Sequence, residues 1–370
     1  EADGHLGGTP DSCLLIDESA CAKKGQHSVG VARQWGGRLG KVENCQVGVF
    51  AVLGKAHRAT VIDARLYLPQ EWIASPTRCQ RAGLPTSAPV QRSKVELALE
   101  MVRHQRASGG RFAWVGADGG SGKEPSFTRA LEERGEVFVV DVHRDQTMYL
   151  IDPESRVPEK LSGRGRAPVG RKAQTPGVRV EPWVAEQPPQ AWSQVTVRDS
   201  PKGALSVEIL HRRIWVWDGR EAQAPHWHLI VRRELHSPET IKYTLSNADE
   251  HIPPHRLARM PAQRFWVERA FQDAKSEAGL ADYQARQWSS WHHHMALVSL
   301  ARLFMLEERI LQKDAHPLLS CSDVESLLRA FLPRRDIDHE EVLRQMEKRH
   351  QRRQAAIDSH HRKCSVFSVG

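Results

Sequence analysis

Two hydrophobic periods share this chain. Residues 12–17 (SCLLID) are a short apolar run ending in an acid, which predicts a buried strand. Residues 45–53 and 58–68 are rich in β-branched side chains and are joined by Gly54-Lys55, which predicts a hairpin and, with the first strand, a meander. Residues 92–107 carry Val95, Leu99 and Val102 as a helical stripe. Residues 111–117 (RFAWVGA) read as a strand stopping at Asp118, followed by a helix over 124–134 and a strand over 136–142. The order strand, strand, strand, helix, strand, helix, strand is a mixed α/β pattern. Between these elements, 23–41 is a basic loop with five Lys/Arg, five Gly and no acid, suited to close approach to phosphates. Residues 72–89 read as a loop rich in Pro, Ser and Thr.

The period changes in the second half. Residues 159–182 are basic and rich in Gly and Pro, with Arg164, Arg166, Arg171, Lys172 and Arg179, and predict a mobile loop. The runs VTV, SVEIL, RIWVW, HLIVRREL and IKYTLS within 194–247 predict short strands, with turns at Pro201-Lys202-Gly203 and Asp218-Gly219. Helices return near Pro261, continue over 286–311, and end with a basic helix over 338–357. The expected partition is a first part of the core over 1–142, a β-rich insertion with a basic linker over 143–255, a helical completion of the core over 256–311, and a basic helical tail over 312–370.

A hydrophobic content of 40% with 11 Trp supports a substantial core, and the formal charge of +8 favours a polyanionic partner. No apolar run approaches the roughly 18 residues that span a bilayer. No secretory signal pattern is visible at the start. The six cysteines form no C-x-x-C pair and suggest neither a zinc site nor a disulfide framework, so a reducing cytoplasm is the simplest compartment.

Candidate chemistry concentrates in 264–278, RFWVERAFQDAKSEA. On a helix of about 100° per residue, Lys275 falls about 20° and Glu268 about 40° from Arg264, so an acid lies between two bases on one strip. Trp266, Val267, Ala270, Phe271, Ala274 and Ala278 fill the apolar sector, while Arg269, Asp273 and Ser276 are expected to face water. Phe265 fits neither sector. Ordinary charge support on an amphipathic helix would explain the strip as well. Two further acids, Asp17 and Asp118, stand at expected strand ends. Three carboxylates from separate elements are the hard oxygen donors that Mg²⁺ or Mn²⁺ prefers.

The spacing Arg-x3-Glu-x6-Lys resembles the third catalytic block of bacterial insertion-sequence DDE transposases, in the IS-four-like superfamily. It matches at Arg264, Glu268 and Lys275, with Pro261 where those enzymes have Tyr. Asp17-Glu18-Ser19 with Lys23-Lys24-Gly25, the run from His27 to Gln34 that includes Arg33, and Trp114-Val115-Gly116-Ala117-Asp118 continue the likeness, closest to the IS-seven-hundred-one type. Ser121-Gly122 stands where Tyr-Gly is usual. The resemblance implies a ribonuclease-H-like mixed sheet flanked by helices and interrupted by a β-rich insertion. It implies Asp17, Asp118 and Glu268 as catalytic ligands of two Mg²⁺ or Mn²⁺ ions, with Arg264, Lys275, Lys23, Lys24 and Arg33 on DNA. It further implies double-stranded DNA as partner, a homodimer in a synaptic complex, and a place in the bacterial cytoplasm near the nucleoid. In that group an aromatic of the insertion stacks on a DNA base, which Trp183, Trp192, Trp215, Trp217 or Trp227 could supply, although core packing is their default. Only 16 residues precede Asp17, whereas the group has a longer helical region there for end recognition, so little sequence preference is expected. A DNA-binding remnant and a ribonuclease-H-like nuclease are the rival readings. Gly119-Gly120-Ser121-Gly122-Lys123 lacks the spacing of a phosphate loop. His292-His293-His294 points in three directions on a helix and makes a poor metal site.

Overall fold

The computed structural model describes residues 1–87, 91–159, 166, 168–200, 203–333 and 338–367. It divides into two compact units, Glu1–Ser322 and Asp323–Gly370. After a short helix α1 (Ala2–Leu6), strand β1 (Ser12–Ala22) runs past its expected end. Asp17 therefore lies in mid-strand opposite Phe50, not at a terminus. The strand continues because its partner is long enough to pair with it as far as Ala22↔Cys45.

The expected basic loop contains a strand as well. β2 (Ala32–Gly36) pairs antiparallel with the early part of β3 (Lys41–Lys55), Arg33 opposite Asn44 and Trp35 opposite Val42. β3 and β4 (Arg58–Leu66) form the hairpin, with the turn at Ala56-His57 rather than at Gly54-Lys55. Ala56 takes φ 52°, a left-handed turn position uncommon outside glycine. Two short helices, α2 (Gln70–Ile73) and α3 (Pro76–Arg81), occupy the stretch expected as loop.

Helix α4 (Lys94–Ala107) starts in a capping box of Ser93 and Glu96. Strand β5 (Trp114–Ala117) runs parallel to β1, with Leu14↔Val115 and Ile16↔Ala117. Helices α5 (Gly119–Gly122) and α6 (Pro125–Glu132) lead to β6 (Phe138–Val142), parallel to β5. An antiparallel meander followed by two parallel strands gives the order β4-β3-β1-β5-β6, a ribonuclease-H-like sheet. β1 alternates its burial between two cores. Leu14 and Ile16 pack with α4 and α6, while Cys13 and Leu15 face the other side. Burial on both faces explains its unbroken apolar run.

A small ladder of β7 (Thr147–Met148) and β8 (Val178–Arg179) and helix α7 (Val180–Ala185) precede four strands, β9 (Ser193–Ser200), β10 (Gly203–Trp215), β11 (His226–Glu234) and β12 (Ser237–Ser246). SVEIL and RIWVW, expected as two strands, are the single strand β10. Arg164, Pro201 and Lys202 lie outside the described residues. The β-rich segment does not stand apart from the core sheet. β12 pairs antiparallel with β6, Thr244 opposite Asp141, so the ten-stranded sheet continues as β6-β12-β11-β10-β9.

Helices α8 (Pro254–Ala262), α9 (Phe265–Ser276) and α10 (Trp288–Leu311) close the first unit on the face of Cys13 and Leu15. Helical structure thus begins before Pro261, which sits in the last turn of α8. α11 (Cys321–Phe331) and α12 (His339–Phe367) follow. Among the described residues no helix is long and apolar enough to cross a membrane.

Candidate active site

The sheet brings two of the expected acids together by register. β1 and β5 are parallel neighbours with Ile16 paired to Ala117, so the next residue on each, Asp17 and Asp118, is an acid. Asp118 caps α5, its Oδ1 accepting the N–H groups of Gly120 (3.1 Å) and Ser121 (3.2 Å). A side chain at Gly120 would put its Cβ 3.1 Å from that same oxygen, so glycine keeps the carboxylate accessible. Glu268, exposed on α9, lines the same cleft of about 1130 Å³, together with Glu18, Lys94, Arg264 and Lys275.

Burial raises the Asp17 carboxyl, Arg264 opposes the rise, and the charge of Asp118 adds to it, leaving the group pushed up to about 6. Its Oδ1 accepts from the Glu18 N–H at 2.7 Å. Arg264 stands immediately before α9 and forms an ion pair with Asp141 of β6, while its Nη2 stands 3.9 Å from Asp17 Oδ2. Burial works against the guanidinium, but Asp141, Asp17 and Asp118 outweigh it and hold its pKa above the ordinary value. Asp141 also accepts from the Thr244 hydroxyl at 2.9 Å.

The three residues of the expected strip, Arg264, Glu268 and Lys275, line one cleft. Two other expectations for this helix fail. Asp273, placed toward water by its angle, is buried, because Arg302 of α10 lies 3.4 Å from it and Arg269 3.0 Å. Phe265 is half exposed and carries the Arg198 guanidinium 3.7 Å over its ring, which accounts for an aromatic outside the apolar sector.

Lys23, Lys24 and Arg33 do not line this cleft. Lys23 donates to the Tyr283 carbonyl with its ammonium 4.7 Å from that ring, and burial lowers its pKa. Lys24 is exposed. Arg33 lines a second cleft of about 770 Å³ with Arg78, Arg81 and Arg286. In the histidine triplet, His292 bonds the Trp288 carbonyl (3.0 Å) and His294 that of Gly279 (2.9 Å), two separate tasks. Of the tryptophans weighed for stacking, Trp227 is buried and donates to Glu132 at 2.8 Å, Trp215 stacks on His226, and Trp192 lies under Arg233.

Asp141 escaped the sequence reading. Its signal is a lone acid in the otherwise apolar FVVDV of β6. Trp35, exposed at the edge of the same cleft, lies within the stretch whose sequence predicts only a basic loop.

The donor chemistry of Asp17 and Asp118 fits a hard cation: adjacent carboxylates, one half-buried and raised by that burial with the other's charge adding to it, with an open approach at Gly120. The set is not closed. Among the described residues, no three His, Cys, Asp or Glu side chains lie together as an ion-holding group, so Glu268 would have to turn inward from α9.

Residues 3–204 match the family model described as DDE superfamily endonuclease, a span that includes Asp17 and Asp118 but ends before Glu268. A relative described as a probable transposase for insertion sequence element IS701, from Microchaete diplosiphon, is 22% identical over 274 residues, 73% of this chain. The aligned part spans 59% of that transposase's own length. The NurA nuclease crystal structure from Sulfolobus solfataricus aligns over 72% of this chain and 79% of its own, with a TM-score of 0.31 and 9% identity. Because the family model takes in more than half of the residues, the chain belongs to the DDE superfamily endonucleases.

Proposed function

We propose that the cleft cuts DNA at the ends of an insertion sequence and joins the resulting 3′-hydroxyls to target DNA. The observation that carries this reading is the juxtaposition of Asp17 and Asp118 on parallel neighbours, with Glu268, Arg264 and Lys275 lining the same cleft. Asp17, Asp118 and Glu268 would hold two Mg²⁺ or Mn²⁺ ions, which when bound supply activation of the attacking oxygen and charge neutralisation at the leaving one. Arg264 is committed to Asp141 and stands beside Asp17, so it acts first as a positioning residue for the Asp17 carboxylate. Phosphate contact then falls to Lys275, as a point charge above the cleft. Double-stranded DNA, both element end and target, is the substrate in this reading, with two copies of the chain in the synaptic complex.

The test uses Asp17→Asn, Asp118→Asn and Glu268→Gln, which remove charge at nearly constant shape. Each is expected to abolish Mg²⁺-dependent cleavage while leaving gel-shift affinity largely intact. Substantial cleavage by any one of them removes that residue from the site. Strand transfer is read separately, from joining of a labelled 3′-hydroxyl end into plasmid DNA. Cleavage without joining would leave a hydrolytic nuclease.

A further inference from the structure

Strand β2 links the catalytic cleft to a second, arginine-rich cleft, and its outward face is built for something other than packing. Side chains alternate along a strand, so Arg33 and Trp35 point the same way, about 7 Å apart. Gln34 between them turns inward and donates to the Cys45 carbonyl at 2.8 Å. Trp35 is 54% exposed, and its cross-strand partner Val42 is 50% exposed. The pair forms an exposed apolar platform, of which Trp35 lines the acid-bearing cleft.

Toward the start of β2, Arg33 joins Arg78, Arg81 and Arg286 around the second cleft, against the one acid lining it, Glu71, which lies 3.9 Å from Arg78. Within this cluster the Arg78 guanidinium is held in place. Arg78 donates to the Gln26 (2.9 Å) and Val31 (3.2 Å) carbonyls and lies 3.9 Å from the Trp72 ring. The Val29 N–H donates to the Arg286 carbonyl at 3.0 Å, fixing that segment against the start of β2. Arg33, Arg81 and Arg286 are exposed. Four guanidiniums around a concave surface suit phosphates, whose geometry a planar fork of donors matches better than a single ammonium does.

We infer that β2 is a track for an unpaired DNA strand entering or leaving the catalytic cleft, with a base stacked on Trp35 and the following phosphates held by Arg33, Arg78, Arg81 and Arg286. The base must be unpaired, because a base inside a duplex has both faces covered by its neighbours and cannot offer one to an indole. Stacking on an aromatic is tolerant of sequence, and an arginine groove follows the backbone. The substrate of the proposed DNA-cutting site is thereby specified as DNA frayed beside the cleaved phosphate. This inference rests on that reading of the cleft, and its test is chosen to separate the two.

The test is binding without divalent cation, so that no cleavage is required. The probe is a short oligothymidylate carrying scattered 2-aminopurines, used alone and as a duplex with its complement. The wild-type chain is expected to bind the single strand and quench its 2-aminopurine fluorescence, and Trp35→Phe is expected to do the same. Trp35→Ala should lose the quenching and on the order of tenfold in single-strand affinity, with duplex binding little changed. Arg33→Ala combined with Arg286→Ala should weaken both forms and flatten the salt dependence by roughly 0.7 in log–log slope per lost single-strand contact. Circular dichroism and sedimentation of each variant accompany the titrations. Undiminished quenching by Trp35→Ala overturns the inference, as does an effect of that change on self-association alone. If Trp35-dependent quenching is found in a chain that never cleaves, the track stands and the catalytic reading falls. Metal-dependent cleavage with a neutral Trp35→Ala gives the reverse.

Discussion

Replacing Asp273 tests the packing that carries the third acid. Asp273 is 6% exposed on the inner face of α9, and Arg302 is 2% exposed on α10. The remaining neighbours of Arg302 include the Cys321 sulfur at 2.9 Å and the Met305 sulfur at 4.0 Å, neither of which is a counter-charge in its thiol or thioether form. Its Nε has no hydrogen-bond partner among the described residues. Asp273 differs, because Arg269 reaches it from the solvent side at 3.0 Å. The two single changes should therefore be unequal. Asp273→Ala strands a buried guanidinium and should cost about 3–5 kcal/mol. Arg302→Met leaves the carboxylate paired to Arg269 and should cost about 1.5 kcal/mol, the lower value for losing a charged hydrogen bond. Asp273→Leu with Arg302→Met removes both charges and should lie within about 1 kcal/mol of the parent, since an apolar pair often replaces a buried ion pair at little cost. Urea unfolding of the four proteins measures this, and the double change read against the singles gives the coupling. Equal losses from the two single changes, or a double variant as unstable as their sum, would refute the assignment of Arg302 to Asp273.

Four further outcomes rest on other contacts. His228 Nε2–H donates to the Ala248 (3.2 Å) and Asp249 (3.1 Å) carbonyls, so its Nδ1 accepts from His211 Nε2–H at 2.8 Å. Burial, with the charges of His228 and Arg213, pushes His211 down to about 4 from an ordinary 6.5, and burial lowers His228 too. Between those values the unfolded chain takes up protons that the folded chain refuses, so stability should hold above the window and fall as pH drops through it. Melting temperature against pH checks this, and His211→Gln should reduce the slope. Lys275→Ala should weaken DNA binding and reduce the log–log salt slope by about 0.9, read from a titration across a salt series. Arg264→Ala should lower both cleavage and melting temperature, because Asp141 loses its ion pair. Gly122→Ala would bring a Cβ within 2.1 Å of the Asp141 carbonyl, so it should destabilise by about 1–3 kcal/mol, the range for overpacking, and disturb the Asp118 turn.

The strand and helix order of the core, and the meeting of Arg264, Glu268 and Lys275 at one cleft, were legible because periodicity and spacing are local. Asp118 was legible as the stop of an apolar run. Asp17 was found for the same reason, although β1 does not stop there, since its length is set by pairing with β3. β2 was hidden because nothing in Arg33-Gln34-Trp35 alternates between apolar and polar. It is a strand by virtue of its partner, with a Trp turned outward. Asp273 misled because a helical wheel gives direction and not neighbours. Its burial depends on an arginine of another helix. Asp141 is hidden in the sequence because the apolar majority of its strand run masks the single acid, to which Arg264 is tied.

The four strands β9–β12 do more than lengthen the sheet. β12 sits beside β6, and that pairing sets Thr244 against Asp141, so the acid that holds Arg264 is fixed from both strands. Val197, Val207 and Ile209 of β9 and β10 pack with Ala258 and Ala262 of α8, the helix that leads into Arg264. Arg198 of β9 lies over Phe265 at the start of α9. The elements that deliver Arg264 and Glu268 to the cleft thus rest on the β-rich segment rather than on the five-stranded core alone. Asp17 and Asp118 depend only on the core register. The third acid depends on strands that join the sheet later in the chain, so excision of 193–246 would leave two carboxylates in place and remove the support of the helix that bears the third. The proposed site would therefore draw on the whole first unit, and its third acid would be coupled to the pairing of β6 with β12.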